Sequence, residues 1–318
     1  MRTYFCLSTL VVVAGILFFI AGLGNAESRP VFSADAPMDM LVSADWLSRH
    51  LQDPDLVVLD CTVKIEQTQT GGMRAVNGRP AYDAGHIPGA GFADLIVALS
   101  DTNQSIDYAL PAPEKFCQVM GRLGVGDNTR VVLYDSSNSV WAARVWWMLR
   151  WVGFDKAALL DGGLKAWQAG NRPVSTDPAG RPARKLTPAV RPELIADRDE
   201  VLAAIDDDKV HLVDAMPEPV YSGQMNMYAR PGHIKGAMNI PVMNLFDQSG
   251  RFKSLEELAA LHPEDRSRRY ITYCGAGIAA SGSAFAMVRL GFKNVAVYTA
   301  SLQEWAADPA NPMVDPTP

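Results

Sequence analysis

No surplus of basic charge exists in this sequence. Its 29 lysines and arginines face 35 aspartates and glutamates, a formal net charge of −6. That balance argues against a nucleic-acid partner, because nothing in it would neutralise a run of phosphates. Any anionic substrate must be attracted locally. Cys-x-x-Cys, His-Glu-x-x-His and clustered metal-ligand spacings are missing, as are glycine-rich nucleotide loops, so neither a metal nor a cofactor is expected. Coiled-coil and collagen periods are absent too. Cysteine is scarce, with four residues in 318. Cys6 belongs to the N-terminal segment, and the remaining Cys61, Cys117 and Cys274 are an odd number that cannot all pair within one chain. Cys61 follows the apolar run Leu56-Val-Val-Leu-Asp60, and Cys117 sits on a helical stretch from Glu114 to Leu123. Both read as small buried hydrophobes.

The only long apolar run lies at the start. Arg2 precedes Leu10-Val-Val-Val-Ala-Gly-Ile-Leu-Phe-Phe-Ile-Ala-Gly-Leu23, and small residues at Gly24 and Ala26 fit cleavage after Ala26. Residues 1–26 are therefore expected to be a signal peptide, with the mature chain exported, in a periplasm-like compartment. An uncleaved anchor is the alternative, since counting from Phe5 gives about the length needed to span a bilayer. In either case the folded part faces the exported side, and a cleaved chain is expected to hold no stable membrane association.

With 48% hydrophobic and 20% charged residues, the rest is long enough for two medium domains. It is also internally duplicated. Residues 131–149, beginning Val-Val-Leu-Tyr-Asp135, align with 270–288, beginning Tyr-Ile-Thr-Tyr-Cys274, at an offset of 139. Each copy reads as a short apolar strand, a small-residue loop and a helix. After one inserted residue the copies continue as Gly153-Phe154 and Gly291-Phe292. Upstream, Leu56-Val-Val-Leu-Asp60 matches Val210-His-Leu-Val-Asp214, and Gly85-His86-Ile matches Gly232-His233-Ile. The paired segments keep their order, so each half is one α/β domain. Short apolar strands alternating with helices imply a mainly parallel sheet with helices on both faces. The expected domains are 38–172 and 194–312. The intervening 173–193, with Pro173, Pro178, Pro182, Pro188 and Pro192, reads as an extended linker.

Chemistry concentrates at Cys274. The strand at 270–273 ends on it and turns into a helix from about Ala279, which places the sulfur over unpaired backbone N–H groups at a helix N-terminus. Such a site favours a thiolate and solvates an anion. Gly275 and Gly277 permit a tight cradle, and Ala276, Ile278 and Ala279 complete the loop without charge. A phosphatase loop would need an arginine after five intervening residues, where Ala280 stands. Disulfide exchange would need a second cysteine close to Cys274. Arg74, Arg79 and Arg230 are candidate anion clamps, because a guanidinium grips a carboxylate with two bonds. Asp60 and Asp214, at matching strand ends, read as loop braces, and His233 as a loop-bonding histidine. Trp141, Trp146, Trp147 and Trp151 read as packing on one helix.

The Gly85-His86-Ile-Pro-Gly-Ala90 segment, the Arg144-Val-Trp-Trp-Met148 run and the Cys274 loop together resemble the two-domain rhodanese family, across nearly the whole mature chain. That resemblance implies two tandem rhodanese-like domains and sulfur transfer from thiosulfate or 3-mercaptopyruvate to cyanide or a thiol. It further implies a persulfide on Cys274, and Asp135 marking a half that has lost its cysteine. His86 matches a family histidine thought to act near the active site. The uncharged Cys274-Gly-Ala-Gly-Ile278 run is similar to the mercaptopyruvate enzymes, although Ala276 stands where they carry serine. Val220 falls near one expected substrate arginine, Arg230 is displaced from the other, and Tyr298-Thr-Ala-Ser-Leu302 replaces Tyr-Asp-Gly-Ser-Trp. A sulfur-relay module without an efficient small-molecule donor is the alternative function.

Overall fold

The computed structural model describes residues 38–68 and 72–314, together with Met1. Apart from Met1, the expected export segment lies outside the described residues. Among the described residues no helix is long and apolar enough to cross a membrane.

The first half runs β1 (Leu41–Val42), α1 (Ala44–His50), β2 (Leu56–Asp60), the hairpin β3 (Val63–Gln67) and β4 (Met73–Asn77), α2 (Arg79–Ala84) and β5 (Gly91–Phe92). It continues with α3 (Pro113–Arg122), β6 (Arg130–Tyr134), α4 (Val140–Trp151), β7 (Ala157–Leu160) and α5 (Gly163–Ala169). The second half runs β8 (Ile195–Ala196), α6 (Arg198–Ala204), β9 (Val210–Asp214), α7 (Glu218–Tyr221), β10 (His233–Ile234) and β11 (Met238–Asn239). Then follow α8 (Leu255–Leu261), β12 (Arg269–Tyr273), α9 (Ile278–Arg289), β13 (Asn294–Tyr298), α10 (Ser301–Trp305) and β14 (Met313–Val314).

Each half builds one five-stranded, all-parallel sheet, ordered β1-β7-β6-β2-β5 and β8-β13-β12-β9-β11. The two orders are the same once each strand is matched with its repeat. Register repeats as well: Asp60 lies opposite Tyr134 on β2 and β6, and Asp214 opposite Tyr273 on β9 and β12. Burial on both faces explains the unbroken apolar runs. In β2, Leu56 and Val58 pack with Trp46 of α1 and Trp167 of α5, while Val57 and Leu59 pack with Phe116 of α3 and Trp146 of α4.

One detail differs from the sequence alignment. Cys274 lies 139 positions after Asp135, but Ile278, the start of α9, lies 138 after Val140, the start of α4. The extra residue of the first half therefore sits in the loop before α4 and not after that helix. The loop that follows Cys274 is one residue tighter.

Helices α4 and α9 pack against each other across the two halves. Trp146 meets Phe285 edge-on, with ring centroids 4.8 Å apart, and the Trp147 indole donates to the Leu194 carbonyl at 3.0 Å. All four tryptophans of α4 are buried. The proline-rich connection is irregular, but it is tied down: Ser175 pairs with His86, Arg184 N–H donates to Gly121, and Ala189 N–H donates to Val152.

Candidate active site

Cys274 follows the last residue of β12, 2% exposed, and Gly277 caps α9 with a left-handed φ of 76°. Ser301 ties this turn together. Its hydroxyl accepts from the N–H groups of Cys274 and Gly277, each at 3.1 Å, and donates to the Tyr298 carbonyl at 2.7 Å. The Cys274 carbonyl accepts from Leu302 N–H at 3.0 Å. Ser301 adopts φ 55°, a left-handed conformation that costs a non-glycine residue about 1–3 kcal/mol. At the matching place in the first half the chain uses Gly163, also at φ 55°.

Both loop glycines are required by neighbours. A Cβ on Gly275 would fall 1.8 Å from the Tyr228 hydroxyl, and one on Gly277 would fall 2.7 Å from the Thr299 carbonyl and 3.1 Å from Arg144 Nη1. Tyr228 and Arg144 therefore lie directly over the backbone that follows the cysteine. Burial, with the nearby Cys274 and Asp214, pushes the Tyr228 phenol well up. Arg144 comes from α4 of the other half and is fully buried; its Nη2 donates to the Tyr108 carbonyl at 2.9 Å. Its Nε and Nη1 have no partner among the described residues. Burial draws its pKa down to about 10, with Cys274 acting in the opposite direction. It remains a cation at neutral pH. Ala276 and Ala279 are the half-exposed members of the loop, so the opening toward solvent is small and uncharged.

The first half displays what such a loop does with an anion. The buried Asp135 carboxylate accepts from the N–H groups of Ser137 at 2.8 Å, Ser139 at 3.1 Å, Trp141 at 3.1 Å and Ala142 at 3.0 Å. Two of these donors lie in the first turn of α4, where helix N–H groups lack helical partners. Burial nonetheless raises the Asp135 pKa.

The chain matches the Rhodanese-like domain family over residues 43–170 and 197–308. The chain belongs to the rhodanese family. A 3-mercaptopyruvate sulfurtransferase of Escherichia coli is 33% identical over 272 residues, covering 84% of this chain and 94% of the relative. A thiosulfate/3-mercaptopyruvate sulfurtransferase of Arabidopsis thaliana is 31% identical over 320 residues and covers 91% of each chain. The solved structure of an Escherichia coli enzyme, described as a 3-mercaptopyruvate sulfotransferase of rhodanese fold, superposes with a TM-score of 0.74 at 31% identity, covering 83% of this chain and 99% of that one. Sulfur transfer is thus the activity class of this rhodanese.

Within the rhodanese frame, the predicted loop Cys274, Gly275, Ala276, Gly277, Ile278 and Ala279 forms one continuous turn, with the helix starting at Ile278, one residue earlier than expected. The predicted accessory residues lie elsewhere. His86 is fully buried, stacked on Tyr82, with Nδ1 2.8 Å from the Tyr82 carbonyl and Nε2 2.9 Å from that of Asp177. Both nitrogens face backbone carbonyls, so this histidine pins the linker. His233 repeats the arrangement, stacked on Tyr221 and bonded to its carbonyl at 2.8 Å.

Arg230 is likewise no free clamp. Four of its five N–H groups go to the carbonyls of Trp305, Ala306, Asp308 and Asn311, fastening the C-terminal segment. Arg79 is exposed and paired with Asp83 at 2.7 Å, and Arg74 is exposed beside Glu66 at 3.8 Å on the β3–β4 hairpin. Both of these carboxylates, Asp83 and Glu66, lie within the first half.

Asp60 and Asp214 brace their loops by accepting from Thr62 N–H at 2.8 Å and Met216 N–H at 2.7 Å. Burial lifts the Asp214 carboxyl to about 7, against the pull of the Met216 N–H and the Tyr273 hydroxyl. Cys61 and Cys117 are buried free thiols pushed up by burial, Cys117 to about 11, which suits inert packing. Sequence reading missed Ser301, Tyr228 and Arg144. Ser301 and Arg144 each stood inside a quoted motif, but only the fold shows what they touch.

Proposed function

We propose that this rhodanese moves sulfane sulfur through a persulfide on Cys274, with 3-mercaptopyruvate as the preferred donor over thiosulfate. The observation that carries the reading is the paired loop. The Asp135 carboxyl group is held by N–H groups at the start of α4, and Ala279 and Ala280 occupy the corresponding first-turn positions of α9, where N–H groups lack helical partners and suit a persulfide anion. In the first step the Cys274 thiolate attacks the donor sulfur. The donor's carbon–sulfur bond breaks, its electron pair passes to the departing enolate, and protonation of the enolate yields pyruvate. With thiosulfate the sulfur–sulfur bond breaks and sulfite leaves with the pair. In the second step a thiolate or cyanide attacks the outer sulfur and returns Cys274 as thiolate. The uncharged lining at Ala276 and Ala279 supports the mercaptopyruvate preference.

The test is intact mass after donor treatment. Wild type is expected to gain about 32 Da that is discharged by cyanide as thiocyanate, and Cys274→Ser to show neither mass gain nor turnover. A wild-type protein that turns over without any mass gain would sink the covalent route. One observation favours a second reading, sulfur relay to a partner protein: Arg230 is occupied by backbone carbonyls and Ala276 has no hydroxyl, so two of the family's usual donor contacts are missing. Under that reading neither donor is turned over, while a supplied persulfide still loads Cys274. Export of the mature chain remains part of the proposal, and N-terminal sequencing of secreted protein beginning at Glu27 would support it.

A further inference from the structure

The two-half architecture raises the question of what the half without a nucleophile contributes. Four observations converge on one side chain. Arg144 belongs to α4 of the first half, yet its Nη1 lies over Gly277 in the nucleophile loop of the second. It is 0% exposed, so water cannot solvate its charge. Only Nη2 has a protein acceptor, the Tyr108 carbonyl, while Nε and Nη1 are without partners among the described residues. Cys274 is itself only 2% exposed. A buried guanidinium without a counter-charge is costly, and folds retain one where an anion is to be met.

The anion available to it is limited. The titratable groups that face Cys274 are Arg144 from α4 and Tyr228 from the segment after α7. Asp214 at the end of β9 faces Tyr228 and Tyr273. No ionised side chain stands in the loop 275–281 or in 299–303. Cys274 is thus the one titratable group whose charge acts on Arg144.

We propose that Arg144, carried by the half that lacks the nucleophile, is the counter-ion of the Cys274 thiolate and of the persulfide formed on it. The inference rests on Cys274 being the sulfur carrier. It assigns the silent domain a chemical part: its helix α4 delivers the positive charge, and the α9 N-terminus delivers the hydrogen bonds. At Gly277 the left-handed cap and the Thr299 carbonyl exclude a side chain, which leaves the backbone open to the approach of Nη1.

The experiment is alkylation of Cys274 by iodoacetamide in the full-length protein as a function of pH, read by peptide mass so that Cys61 and Cys117 are scored separately. Arg144→Met removes the charge and keeps apolar bulk. Arg144→Gln also removes the charge but keeps an amide donor for the Tyr108 carbonyl. Arg144→Lys keeps the charge. The alkylation midpoint is expected to rise by about one pH unit in Met and Gln, an about tenfold loss of thiolate at neutral pH, with most of it restored in Lys.

An unmoved midpoint in a cooperatively folded Met or Gln variant overturns the proposal. A rise in donor KM with the midpoint unchanged overturns it as well, since Arg144 would then hold the donor and not the sulfur. Because alkylation needs no turnover, a wild type that fails to load sulfur would refute the persulfide reading while leaving the midpoint shift to be judged separately.

Discussion

Ser301 shows how a single residue can hold an active loop at the expense of its own comfort. Its left-handed backbone would suit glycine, and the first half uses Gly163 there, yet the second half keeps the hydroxyl that binds both Cys274 and Gly277. Ser301→Gly relieves strain of about 1–3 kcal/mol. It also removes three hydrogen bonds of about 0.5–1.5 kcal/mol each. Stability should therefore fall by about 1 kcal/mol, while sulfur transfer falls about tenfold, equivalent to roughly 1.4 kcal/mol in the barrier. Urea unfolding and steady-state turnover on the same preparation check this, and undiminished turnover would show that the hydroxyl does not position the loop. At this scale the sequence was partly legible. The cysteine and its small neighbours carry a local signature, whereas a serine inside Thr299-Ala-Ser301 carries none.

Elements repeat more faithfully than residues. The tyrosine–histidine stacks Tyr82–His86 and Tyr221–His233 occupy the same place in each half, and Tyr134 and Tyr273 each accept, through the hydroxyl, the N–H of the isoleucine after the histidine, at 3.1 Å. The difference lies at His86 Nε2, which reaches the linker at Asp177. His86→Leu should remove the tie to the linker carbonyl of Asp177, while the Tyr82 carbonyl keeps the Gly85 N–H, at a cost of about 0.5–1.5 kcal/mol. Limited proteolysis should then cut the chain near 175–182, while turnover of the folded protein stays within about twofold, less than 0.5 kcal/mol of barrier. Loss of turnover greater than loss of folded protein would restore a chemical role to His86. The Gly-His-Ile segment was legible as a motif, but whether its histidine faced a substrate or a backbone carbonyl depended on a linker far along the chain. The position of the inserted residue was also illegible, because α4 and α9 share so few side chains that either gap placement aligns them.

For the whole molecule, the contact of α4 with α9 joins fold and site. Phe285, fully buried and edge-on to Trp146, sits in the layer that keeps Arg144 over the cysteine loop. Phe285→Ala should cost about 3–5 kcal/mol, the range for emptying a buried aromatic site. Scanning calorimetry should show one lowered transition for both halves; two separated transitions would mean that the halves are energetically independent.

The chain pattern by itself determined two α/β halves, parallel sheets and a cysteine at a strand-to-helix turn, because apolar periodicity, small-residue loops and duplication are written locally. Tertiary structure alone decided which arginine matters. Arg74, Arg79, Arg230 and Arg144 are the same residue in a sequence, and what separates them is burial and partners: two are exposed, one is tied to carbonyls, and one is sealed beside the cysteine by a helix from the other half. Charge acts across space, and only folding sets that distance.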